Sequence, residues 1–209
     1  MNLSFIKKDR IVPMAISGLF HPLLMPSLGV WFIFNSGSML SLINPAVQLR
    51  VLLIVFGFTF ILPALILPVF IYFRWMGHWE ANERNERIFP IAITAVIYYF
   101  TYSFLSGHQV LTFIALFILA TSIVMIILLL ANFFTKISLH MAGIGGICGL
   151  LLYMSIRISS INAWFFIIAL MLAGFIAFAR LKLNAHSPMQ IVSGFATGII
   201  PVFTLFMFV

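Results

Sequence analysis

The sequence predicts an all-α fold, a polytopic bundle of six or seven transmembrane helices, and three observations carry that prediction. The chain is 64% hydrophobic and only 7% charged over 209 residues, against roughly 45–50% and 25% in soluble domains, so no soluble core of this size could bury its apolar surface. Apolar runs recur from end to end, each near the roughly 20 residues that a bilayer crossing requires. No polar stretch between them is long enough to fold by itself, so residues 1–209 read as a single multi-pass domain, expected in the cell (inner) membrane.

Taken in order, the candidate crossings are 11–34, 48–73, 89–105, 110–135, 137–156, 163–180 and 188–208. The first is preceded by a basic cluster, Lys7, Lys8 and Arg10, and is interrupted by His21-Pro22-Leu23-Leu24-Met25-Pro26, which should kink or break a helix. That segment either crosses or is re-entrant. The fifth carries Gly143, Gly145, Gly146 and Gly149, and the seventh Gly194 and Gly198. Small residues at such spacing let helix backbones approach closely where lipid removes the hydrophobic drive for association. No internal repeat, low-complexity tract or linker is evident.

Eleven basic residues against four acids give a net charge of +7. In a membrane chain this points to anionic headgroups or a phosphate-bearing substrate rather than to nucleic acid. The single cysteine, Cys148, rules out an intrachain disulfide and a cysteine metal cluster. His78-Trp79-Glu80 alone is a weak metal signal, so neither a metal nor a cofactor is expected. Asp9 is the sole aspartate, which excludes an aspartate-rich prenyl-diphosphate motif.

If every span crosses, three junctions emerge on one face. The first brings Arg74, His78, Glu80, Glu83, Arg84, Glu86 and Arg87; the second Lys136, Ser138 and His140; the third Arg180, Lys182, Asn184, His186 and Gln190. The convergence survives if the first segment is re-entrant. Polar groups beside a bilayer are costly to desolvate and mark function, although cations at helix ends also act as topology signals, the simpler reading for Arg74 and Lys182. Two histidines, a serine and an arginine from separate junctions supply what phosphate chemistry needs: cations for an anion, one imidazole to attack and another to protonate the leaving oxygen.

Arg180, five residues, His186, three residues, Gln190, then Gly194 and Gly198 resembles the third signature of the type 2 phosphatidic acid phosphatase superfamily. Lys136-Ile137-Ser138-Leu139-His140 before a Gly-rich helix looks like its second signature, and Arg84, Arg87 and Pro90 stand near its first. The resemblance lies within residues 80–198 and implies a metal-independent phosphatase acting on a phospholipid or polyprenyl phosphate. It makes His186 the nucleophile, His140 the general acid, and Gln190 the group that orients His186. Arg180 with Arg87 or Arg84 would clamp the phosphoryl oxygens, aided by Lys136 and Ser138. Gln190 stands in place of an aspartate, Glu80 in place of a lysine, and Ile137, Leu139 and Ala179 in place of proline, glycine and serine.

The same residues leave other classes open. An inactive homologue would serve as scaffold or lipid binder, and a small transporter would use the interrupted first helix. His108, in Ser106-Gly107-His108, imitates the second signature, but the count of crossings puts it on the opposite face. With seven full crossings the basic residues make the motif face cytoplasmic; a re-entrant first segment reverses this. Oligomeric state is not legible.

Overall fold

The computed structural model describes residues 3–72, 85–158 and 163–208, which are helical with no strand among them. The helices are α1 (Leu3–Leu19), α2 (Met25–Asn35), α3 (Pro45–Phe56), α4 (Leu62–Tyr72), α5 (Ile88–Ser106), α6 (Thr112–Asn132), α7 (Leu139–Arg157), α8 (Trp164–Lys182) and α9 (Pro188–Phe208). They make seven segments long and apolar enough to cross a membrane: Arg10–Asn35, Pro45–Val69 and one each for α5 to α9. The protein is therefore an all-α, multi-pass helical bundle.

The expected spans and the observed helices differ where local chemistry intervenes. Pro22 lacks an N–H and its ring crowds the carbonyl one turn earlier, so α1 ends at Leu19. His21, placed before a proline, adopts an extended conformation, and its Nδ1 accepts from the Leu23 N–H at 3.3 Å. The second crossing starts three residues earlier than expected, because the Asn44 side chain caps Ala46 N at 2.9 Å and Pro45 occupies the first helical position. The fourth was expected to reach 135 and stops at Asn132, leaving 133–138 outside any helix.

A π-helical turn, Gly57–Ile61, joins α3 to α4. Pro63 follows it and has no N–H to offer the Thr59 carbonyl four residues back. That carbonyl instead accepts the Tyr98 hydroxyl of α5 at 3.3 Å, and Thr59 is fully buried.

The closest helix pair is α7 with α9. A Cβ on Gly198 would fall on the Ala142 carbonyl oxygen, and one on Gly149 would come within 2.5 Å of the Ile199 oxygen. Backbones meet there without intervening side chains, as the glycine spacing led us to expect. The Ser138 N–H donates to the Gln190 carbonyl at 3.2 Å and ties the starts of the two helices together. One end of the bundle thus gathers the starts of α5, α7 and α9 and the end of α8.

Candidate functional site

The end of α8 and the start of α9 are built by three local devices. Asn184 takes a left-handed conformation, φ 53°, which asparagine tolerates better than most residues. The Ala185 N–H then reaches back to the Arg180 carbonyl at 3.1 Å, closing the helix with a Schellman-type bond. Ser187 and Gln190 form a capping box: the Gln190 N–H donates to Ser187 Oγ at 3.3 Å and the Ser187 N–H to Gln190 Oε1 at 3.1 Å. These turns place Arg180 and His186 on one cavity.

The capping box also fixes the chemistry of His186. A backbone N–H can only donate, so the Gln190 atom it meets is the carbonyl oxygen. That oxygen lies 3.2 Å from His186 Nδ1, which must therefore be the protonated nitrogen. Nε2 keeps its lone pair. Burial, followed by the charge of Arg180, pushes His186 down to about 4, with Arg87 and Lys136 acting in the same direction and the Gln190 bond opposing it. Its imidazole is neutral at physiological pH.

His186 borders a cavity of about 730 Å³. Arg87, Lys136, His140 and Arg180 also line it, so five of the eight residues singled out from sequence share one space. Arg87 is nearly buried; its Nη1 donates to the Ile137 carbonyl at 3.2 Å. Burial, then the neighbouring Arg180 charge, lowers it to about 10, so it remains a cation. No carboxylate is among the described residues that line the cavity.

Two predicted residues stand behind the wall rather than in it. Gln190 does not line the cavity, and its Oε1 meets His186 Nδ1 across one helical turn, the contact that the spacing allowed. Ser138 is fully buried, and its Oγ has no hydrogen-bond partner among the described residues. Arg84, Glu80, Glu83, His78 and Arg74 lie outside the described residues. His108 is exposed beyond the far end of α5 and does not line the cavity, as the span count required.

The first segment supplies site residues that the motif reading missed. Arg180 Nη1 donates to Ser17 Oγ at 2.7 Å. His140 Nε2 lies 3.0 Å from the Ser17 carbonyl and 3.2 Å from its hydroxyl. A carbonyl only accepts, so His140 carries its proton on Nε2. His21 packs edge-on against His140 with ring centroids 5.9 Å apart, and Ser17, His21 and Arg10 all line the cavity. The break in the first segment consequently lies level with the first turn of α7 and the last turn of α8. One signal was available, since Ser17 and His21 are four residues apart and share a face in a helix that a proline interrupts.

No protein-family model matches the chain, and no curated protein or solved structure matches it. The site must be read from its own geometry. Among the described residues no group of three or more His, Cys, Asp or Glu is placed to hold a metal ion. What the cavity offers is a cluster of guanidinium and ammonium donors and three imidazoles: His186 with an available lone pair, His140 with a proton on Nε2, and His21, whose Nδ1 accepts a backbone N–H.

Proposed function

We propose that the protein is a metal-independent phosphatase of the cell membrane, acting on a lipid phosphate or pyrophosphate. The observation that carries this reading is His186, neutral, oriented through Nδ1 by Gln190, and opening with Arg87, Lys136, Arg180 and His140 onto one cavity.

In this reading Arg87 and Arg180 neutralise the phosphoryl oxygens, the main requirement of phosphoryl transfer. The Nε2 lone pair of His186 forms an N–P bond as the P–O ester bond breaks. The bonding pair leaves with the lipid oxygen, which takes a proton from His140 in its doubly protonated form, favoured once the negative charge of the phosphate is bound beside it, so that a neutral imidazole remains. Water then attacks phosphorus, the N–P bond breaks, and orthophosphate departs while His140 recovers a proton from the water. Gln190 does by hydrogen bonding what a carboxylate would do with charge as well, so it sets the ring orientation without stabilising an imidazolium.

The test is phosphate release by purified protein from a panel of lipid phosphates in the presence of EDTA, with His186→Ala as control. Release that survives the chelator and disappears in the variant is the expected result. Release that needs a metal, or that the variant retains, overturns the mechanism; binding with no release identifies a lipid-phosphate binder that has kept the site without the chemistry.

A further inference from the structure

The cavity does not stop at the phosphate end. From Arg87 it continues along α5 through Thr94 to Tyr98 and along α6 from Leu128 toward Phe117; Gly146 and Val202 also line it, and it closes at Tyr98, Phe117 and Val202, which are almost wholly buried. At 1.5 Å per residue, Arg87 to Tyr98 covers about 16 Å. That is about half of the roughly 30 Å hydrocarbon thickness of a bilayer, the length available to a chain in one leaflet. Beyond the cations the wall is mostly aliphatic and aromatic, and the hydroxyls of Thr94 and Tyr98 are already bonded, to the Pro90 and Thr59 carbonyls.

We propose that this depth is a chain pocket that measures hydrocarbon length, so the ligand is a lipid phosphate with a chain of about one leaflet's length rather than a long polyprenyl phosphate. The proposal rests on the phosphate reading of the cationic end. Charge complementarity fixes the ligand's polarity: phosphate at Arg87 and Arg180, chain toward Tyr98. An extended chain advances roughly 1.2 Å per bond, so the pocket takes about twelve carbons. A volume of 730 Å³ falls inside the roughly 300–1,000 Å³ of ordinary small-molecule sites. A polyprenyl chain several times longer has no room in it and would have to leave between helices.

The experiment uses the full chain in nanodiscs and mono-n-alkyl phosphates of 2 to 18 carbons as probes, with protein-free discs subtracted and n-alkanols as the series lacking phosphate. Referred to aqueous monomer, affinity should rise roughly fourfold per methylene and stop rising near twelve carbons. Thr121, seven residues deeper than Leu128 on the α6 wall and away from the cations, is the place to shorten the pocket. Thr121→Phe should move the break to about eight carbons and leave ethyl phosphate affinity unchanged. The wild-type break stands as a test even if that variant does not fold.

An unbroken rise to 18 carbons would mean that the chain lies in the bilayer and would overturn the proposal. Alkanols that bind as tightly as the phosphates, with the same break, would overturn the lipid-phosphate assignment. Failure of every phosphate, ethyl phosphate included, would instead defeat the phosphate reading itself.

Discussion

The two walls that bring histidines to the cavity are built on opposite principles. The α7–α9 wall, bearing His140 and preceded by His186, is held by backbone against backbone through Gly145, Gly149, Gly194 and Gly198. The first segment is joined to that site by the side-chain bonds of Ser17 and by the His21 ring. The α7–α9 wall is therefore fixed by backbone contact whether or not the site is used. In the first segment α2 is anchored in the core by Val30 and Ile33, and it is the stretch around Ser17 and His21 that is fastened through the very groups that would meet a phosphate. In the proposed function an anion on Arg180 would share the guanidinium with Ser17 Oγ, so the stretch around Ser17 is the side expected to respond to ligand.

Breaking the rigid wall has the largest expected effect. Gly198→Leu drives a side chain into the Ala142 carbonyl, and overpacking of a well-packed contact costs about 1–3 kcal/mol or more. It should lower thermal stability in detergent more than any other single change proposed here and remove phosphate binding; unchanged melting would show that the two backbones are not in contact.

Next comes the link between that wall and the chemistry. Gln190→Leu leaves the buried His186 Nδ1–H without an acceptor, about 1–3 kcal/mol, while the exposed Ser187 N–H can turn to water. Phosphate release should fall through kcat more than through KM. Gln190→Asp sharpens the same point: a carboxylate beside the ring raises the His186 pKa, and an NMR titration of the imidazole should move upward from about 4.

His186 also makes stability depend on pH. Its folded pKa lies below the unfolded value of 6.5, so the unfolded chain binds the extra proton first as pH falls. Its contribution is complete above pH 6.5 and lost on the way down to about 4. Melting temperature should drop across that window, less steeply in His186→Asn, and added phosphate should move the window upward by offsetting Arg180. Equal slopes in the two proteins would remove His186 from the account.

The smallest effect belongs to the fastened wall. Ser17→Ala deletes a charge-assisted bond at a partly buried arginine, roughly 1 kcal/mol after solvent screening, yet keeps the carbonyl that holds His140. Stability should scarcely change while phosphate affinity shifts by a few fold, and Ser17→Thr should restore it. An effect as large as that of Gly198→Leu would erase the distinction between the walls.

The sequence made the fold legible because lipid imposes a simple rule: helix-length apolar runs must be helices, and prolines and glycines mark where they break or touch. It also gave the convergence of Arg87, Lys136, His140, Arg180 and His186, since junctions on one face follow from counting crossings. Ser17 was missed because a lone serine in an apolar run reads as nothing by itself and only its four-residue spacing from His21 pointed to it, while the His21-Pro22 stretch was read as a helix break before His21 could be read as a neighbour of His140. Ser138 shows the converse limit: residue type and spacing placed it in the wall, and side-chain packing put it behind.

The π-helical turn at Gly57–Ile61 puts the second crossing one residue out of step with itself. In an α-helix each residue advances the phase by about 100°, so Pro45–Phe56 and Leu62–Tyr72 present faces that no single helical wheel describes. Substitutions in α3 and in α4 should accordingly behave as if they belonged to two proteins, the first felt at α2 and the second at the cavity through Pro63 and Leu67. Pro63→Ala, which returns a donor near the Thr59 carbonyl, would add a second partner there and weaken the hold on Tyr98.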